Sequence, residues 1–224
     1  MRLQWLSEPR KRWTAFLIIA VILTAAAFAL DDWAARIAEQ PIRSGQVRTT
    51  LVALRFFGDG APLVLLTLLA FATVPRKKTA ASLALAAALL SGLIVDRAKT
   101  LTARNRPFDM QGRSARESWN TADNNGRNSS FPSGHSATAF GFARGMALAF
   151  PPVAPVAYLA AAGTAMSRMH ELRHYLSDCT VGGLVGWTLA TLLWAGWSRL
   201  TAKSREKGET ADDFPDVLPL ARSA

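Results

Sequence analysis

The sequence predicts an all-α fold, a polytopic membrane helix bundle of about six transmembrane helices. Three observations predict it. Half of the 224 residues are hydrophobic, only 19% are charged and the mean hydropathy is positive, a membrane composition. Successive apolar runs reach or approach the roughly 20 residues that cross a hydrocarbon core about 30 Å thick. Basic clusters interrupt those runs at intervals that put them on one side.

Arg2, Arg10, Lys11 and Arg12 precede a first apolar run, Trp13 to Leu30. Ala27-Phe28-Ala29 resembles a signal-peptidase site, but the further spans that follow favour an uncleaved first helix. Asp31 to Thr50 is a polar connection with an interfacial helix expected around Trp33 to Ile37. A second apolar stretch runs from about Thr50 to Val74, broken by Arg55 and Gly58-Asp59-Gly60, with Ala61 to Val74 as its main span. Pro75-Arg76-Lys77-Lys78 ends it, and Thr79 to Val95 is the third span. The long polar section Asp96 to Pro132 interrupts the bundle and is a candidate for function. Ser136 to Phe150, Val153 to about Ala165 and Cys179 to Trp197 complete six spans. The expected organisation is one membrane-embedded domain over residues 1–198 and a polar, disordered cytoplasmic tail over 199–224.

Six spans place both termini together with the basic clusters Arg10-Lys11-Arg12, Arg76-Lys77-Lys78 and Arg199 to Lys207, a side read as cytoplasm. A net charge of +10 in a soluble chain would suggest nucleic acid. Here the cations flank apolar runs, so anionic headgroups and phosphate are the expected partners and nucleic acid is not. The lone Cys179 excludes an internal disulfide and reads as a small apolar residue. Gly141-x-x-x-Gly145 and Gly182-x-x-x-Gly186 read as close helix packing. The mid-span Arg144 is expected to face the bundle or a polar crevice, in an ion pair or on substrate. Trp5, Trp13, Trp33, Trp194 and Trp197 are expected interfacial anchors.

Three polar clusters converge on the non-cytoplasmic surface under this topology. The first is Lys99-Thr100-Leu101-Thr102-Ala103-Arg104-Asn105-Arg106-Pro107, where Lys99 and Arg106 are two helical turns apart, so both cations are expected to project from one face. In the second, Pro132-Ser133-Gly134-His135, the chain turns into the fourth span and offers hydroxyl and amide donors beside a histidine. The third is Ser167-Arg168-Met169-His170-Glu171-Leu172-Arg173-His174-Tyr175-Leu176-Ser177-Asp178. As a helix it sets His174 and Asp178 four apart on one face, so the carboxylate can orient the imidazole. Cations, donors and two histidines are what phosphoryl transfer without metal requires.

Lys99 to Arg106-Pro107, Pro132-Ser133-Gly134-His135, and Ser167-Arg168 with His174 and Asp178 resemble the three-part signature of the type-2 phosphatidic acid phosphatase superfamily. The resemblance spans roughly Thr79 to Trp197. It implies a bacterial membrane lipid phosphatase without cofactor or metal, in the inner membrane, with its active site facing the periplasm or exterior. His174 is then the nucleophile that becomes a phosphohistidine, Asp178 orients it, and His135 protonates the leaving oxygen and later activates water. Lys99, Arg106, Ser133, Gly134 and Arg168 are implied to hold the phosphoryl oxygens. The substrate is left among phosphatidylglycerol phosphate, undecaprenyl pyrophosphate, phosphatidic acid and lipid A phosphate, and the oligomeric state is left open. Arg97, Arg104 and the Asp109 to Ser130 loop have no place in the signature and are assigned to substrate choice.

The competing reading is a membrane-embedded zinc metalloprotease using His170-Glu171-x-x-His174 on a helix. It leaves Lys99, Arg106 and the Pro-Ser-Gly-His turn without a role and sets Arg173 beside the metal. On the phosphatase reading His170 and Glu171 are bystanders, Glu171 being a hydrated or hydrogen-bonded surface residue dispensable for chemistry. A binding protein or transporter that only grips lipid phosphate is the third reading, and it has no use for paired His174 and Asp178.

Overall fold

The computed structural model describes residues 9–40, 44–74, 78–110, 113–119 and 129–206. Arg2, Trp5, the Pro75 to Lys77 part of the basic stop, part of the 109–130 loop and the tail from 207 lie outside the described residues. Eight α-helices follow in order: α1 Pro9–Ala29, α2 Asp31–Ala38, α3 Gly45–Arg55, α4 Gly60–Thr73, α5 Lys78–Lys99, α6 Gly134–Ala149, α7 Ala154–His170 and α8 Leu176–Glu206. Among the described residues the extended structure is one isolated antiparallel bridge, Arg104 with Trp119.

Helices α1, α5 and α8 are long and apolar enough to cross a membrane. A fourth crossing results if α3 and α4 count together, since they are bent 75° apart at Gly58-Asp59-Gly60. The glycines end α3 and restart the chain as α4, so the apolar stretch before them is helical too and not merely an approach to the Ala61 to Val74 span. The bilayer-crossing count shown by length and apolarity is therefore three or four, against the six expected. At 16 and 17 residues α6 and α7 are short for a span. Leu17, Ile18, Val21 and Ile22 of α1 and Val156 and Leu159 of α7 nevertheless turn outward and are exposed, as lipid-facing side chains are.

Helix α6 is the centre of the bundle, packed against α5, α7 and α8, with α1 on α8, α3 on α7 and α4 on α5. Small residues let these axes approach. Ala84, Ala88, Ala139, Ala143 and Ala161 form the core with Leu63 and Phe142. A Cβ on Gly186 would strike the Ala137 carbonyl, and one on Gly182 the Ser133 carbonyl, so both glycines are set by the α6–α8 contact. Trp194 is buried against Ala80 and Ala149 and is a core residue, not the expected interfacial anchor. Trp13 and Trp33 are exposed.

Candidate active site

The alternating directions of α5 to α8 bring the end of α5, the start of α6, the end of α7 and the start of α8 to one end of the bundle. Lys99 is the last residue of α5, Ser133 the N-cap of α6, Arg168 lies in the last turn of α7 and Asp178 in the first turn of α8. Lys99 lies within electrostatic reach of Arg106, Arg168, His135 and His174, and His135 within reach of Arg168 and His174. Arg106 reaches the site differently from expectation. Helix α5 stops at Lys99, and the chain from Thr102 is extended, so the two cations converge by a turn and do not share a helical face.

Ser133 caps α6: its Oγ accepts from the Ser136 amide at 3.4 Å and from Ser136 Oγ at 3.1 Å, while its own amide donates to the Asp178 carbonyl at 3.0 Å. The amides of Gly134 and His135, at the first positions of the helix, have no partner within it and carry the positive end of its dipole. Such a helix start accepts a phosphate. Arg168 adds a buried Nε that has no hydrogen-bond partner among the described residues. Its Nη1 donates to Glu171 Oε2 at 2.6 Å.

His174 is not on a helix with Asp178. Helix α7 ends at His170, Leu172 takes a left-handed turn at φ 54°, and α8 begins only at Leu176. The imidazole is buried, and Nδ1 lies 2.7 Å from the Ser130 carbonyl but 3.7 Å from Asp178 Oδ2. The backbone carbonyl is thus the direct anchor, with Nδ1–H donating to it and the lone pair left on Nε2. Burial pushes the His174 pKa down from the ordinary imidazole range, against the Asp178 carboxylate and the Ser130 carbonyl, which pull it up. The same break in the helix dissolves the zinc pattern, since His170 and His174 do not lie one turn apart on one face.

Asp178 is held from every side. Oδ2 accepts from the Tyr175 amide at 2.7 Å, closing the first turn of α8 as a capping box does, and from Ser130 Oγ. Oδ1 accepts from Arg104 Nη1 at 2.6 Å. Arg104 is itself buried, and its Nη2 donates to Asp31 Oδ2 at 2.7 Å and its Nε to Ser118 Oγ at 3.0 Å. Asp31 in turn accepts from the Ser177 amide at 2.8 Å and Ser177 Oγ at 2.6 Å, placing an anion at the start of α8. Tyr175 and Trp119 pack on the guanidinium faces, 4.0 and 4.9 Å from ring centre to Cζ.

The family described as PAP2 superfamily matches residues 80–202. This chain belongs to the PAP2 superfamily. A lipid A 1-phosphatase of Rhizobium etli is 31% identical over 235 residues, covering 96% of this chain and 94% of its own. No solved structure matches. The protein is accordingly a PAP2 phosphatase.

Several residues of this PAP2 site carry no signal in its signature. Arg104 was assigned to substrate choice with Arg97, but it is a buried hub behind Asp178, and Asp31 comes from α2, outside the matched segment. Glu171 is no bystander, since it anchors Arg168 and lies 3.7 Å from Arg55 Nη1. His135 Nε2 lies 3.0 Å from Asp59 Oδ1. Only a carboxylate beside the paired glycines hinted at the last. Arg144 faces the bundle as expected: its Nε donates to Thr191 Oγ1 at 3.0 Å and its guanidinium stacks on Trp187 at 4.4 Å, both on α8.

Proposed function

We propose that the protein hydrolyses a phosphomonoester or pyrophosphate of a membrane lipid through a phosphohistidine on His174, with no metal required. The observation that carries this reading is the His174 imidazole, fixed by its Nδ1 on the Ser130 carbonyl at 2.7 Å and faced by Lys99, which in turn faces Arg106 and Arg168. Held in that tautomer, Nε2 bears the lone pair that attacks phosphorus. The P–O bond to the lipid breaks as the P–N bond forms, and His135 gives its proton to the departing oxygen. His135 then takes a proton from water, the water oxygen attacks phosphorus, and the P–N bond breaks to return His174 and phosphate. Lys99, Arg106, Arg168, Ser133 and the Gly134 amide stabilise the charge on the phosphoryl oxygens. The orphaned Nε of Arg168 suits an oxygen acceptor there.

Among lipid phosphates, lipid A phosphate is the substrate we favour, because the Rhizobium etli relative is a lipid A 1-phosphatase and aligns along nearly the whole chain. Phosphatidylglycerol phosphate, undecaprenyl pyrophosphate and phosphatidic acid share the phosphoryl group and are the comparison substrates. We place the enzyme in a bacterial inner membrane with six crossings, α6 and α7 included, and with the site at the periplasmic face. The lipid-facing exposure of Val156 and Leu159 supports α7 as a crossing, and the basic residues at the start of α1 support a cytoplasmic N-terminus.

The test is phosphate release and acid-labile phosphoenzyme labelling from a panel of these lipids, with and without chelator. Wild type should label and turn over in chelator, fastest on lipid A phosphate, while His174→Ala should fold but do neither. Normal turnover by His174→Ala would sink the mechanism, and phosphate release lost to chelator and restored by zinc would overturn its metal-free form.

A further inference from the structure

Asp59 occupies the N-cap of α4, a position where an aspartate ordinarily accepts a hydrogen bond from the helix it precedes. It makes no such bond. Its Oδ1 instead lies 3.0 Å from Nε2 of His135. Both side chains are about one-third exposed, 37% and 31%, so the pair stands at the open side of the site, not in the packed core. The 75° bend between α3 and α4 delivers it there, and the bend is bolted to α7 by Thr164 Oγ1, which donates to the Leu54 carbonyl at 2.7 Å. Gly58 makes the approach possible, since a Cβ at that position would come within 2.7 Å of Thr164 Cγ2 and 3.0 Å of His135 Cβ. Asp59, Gly58 and Leu54 lie ahead of residues 80–202, outside the matched family segment that holds His135 and Thr164.

We propose that Asp59 is the positioning residue of His135: it holds the Nε2–H, so that Nδ1 is the nitrogen that gives a proton to the leaving oxygen and takes one from water. The proposal rests on the phosphatase reading above and adds the tautomer and the residue that sets it. The two histidines are then held by opposite nitrogens, His174 through Nδ1 by a carbonyl and His135 through Nε2 by a carboxylate. A neutral imidazole whose Nε2–H is held leaves its lone pair on Nδ1, and protonation there creates an imidazolium that the carboxylate stabilises, as the aspartate of a catalytic triad does. The cations Arg168 and Lys99 and the imidazole of His174 also face His135, and Asp59 is the carboxylate set against them. The arriving phosphate adds further negative charge, so the acid form is gained when substrate binds.

The experiment compares wild type, Asp59→Asn and His135→Ala in detergent on two substrates. An alkyl phosphate has a leaving alkoxide that needs a proton, whereas nitrophenyl phosphate leaves without one. Asp59→Asn should slow kcat on the alkyl phosphate by about 10- to 100-fold, less than the roughly 10²–10⁴ that loss of the general acid itself would cost, since His135 remains. The burst of nitrophenolate, which reports formation of the phosphoenzyme alone, should change less than about threefold. Equal loss on both substrates would make Asp59 merely structural and overturn the proposal. His135→Ala should show the same substrate split more strongly. If it does not, or if wild type forms no acid-labile phosphoenzyme, the underlying phosphatase mechanism fails, independently of Asp59. A second measurement uses the wild type only: nitrogen-15 NMR of its three histidines, with His135 assigned by substitution, should find neutral His135 as the Nε2–H tautomer. The Nδ1–H tautomer would overturn the proposal.

Discussion

Arg104 Nη1 lies 2.6 Å from Asp178 Oδ1 with both side chains almost wholly buried, at 1% and 0% exposure. That guanidinium also holds Asp31, so one cation joins α2, the extended chain after α5 and the first turn of α8 behind His174. A charge buried so deeply survives only because every side is matched. Arg104→Met should cost about 3–5 kcal/mol by leaving two carboxylates unpaired. Thermal unfolding in detergent checks it. Burial already pushes the Asp31 pKa up, against the pull of Arg104 and Ser177, so in the variant Asp31 should take up a proton. Asp31→Asn should therefore restore part of the lost stability in the Arg104→Met background while destabilising the wild type.

Glu171→Gln should raise KM about fivefold with little change in kcat, because removing a charge-assisted hydrogen bond worth about 1 kcal/mol loosens Arg168 without touching either histidine. Steady-state kinetics on a lipid phosphate measures this. A dead Glu171→Gln enzyme would point to a catalytic carboxylate and overturn this supporting role.

Gly186→Ala should destabilise the protein by about 1–3 kcal/mol, since the added methyl meets the Ala137 carbonyl and forces α6 from α8. On the same helix Gly196 faces open space, and Gly196→Ala should be neutral or stabilising by up to about 1 kcal/mol through helix propensity. Unfolding midpoints of the two variants, measured side by side, should move in opposite directions.

Acidification should destabilise the fold through the buried imidazole of His174. The pKa of His174 is lowered, so between that value and the unfolded value of about 6.5 the unfolded chain binds more protons than the folded one. Stability therefore rises with pH through this window, is fully present above about 6.5, and is lost as pH falls toward the folded pKa. Midpoints recorded from pH 7 to pH 5 should fall for wild type and fall less for His174→Gln. An identical slope in the two proteins would contradict a buried, neutral His174.

The apolar runs and the three motifs were legible because each is a local pattern. Helix α5 follows from an uninterrupted alanine and leucine run, the α6 start from Ser133 placed before Gly134-His135, and the glycine pairs from their four-residue spacing. The His174–Asp178 relation was misread for an equally local reason. A spacing of four suits a helix, but the turn at Leu172 separates α7 from α8, and the anchor of His174 is a backbone carbonyl, which no residue identity reveals.

The sequence by itself determined the membrane class, the phosphatase family and which residue types gather at the site, since hydropathy, composition and fixed spacings are properties of short stretches of chain. Only the tertiary structure decided what holds those residues. Asp31 and Arg104 are 73 positions apart, and Asp31 and Ser177 are 146 apart. Such pairs depend on how eight helices pack, and a buried ion pair leaves no periodicity to read. The same packing carried Asp59 to His135 across the bend at Gly58.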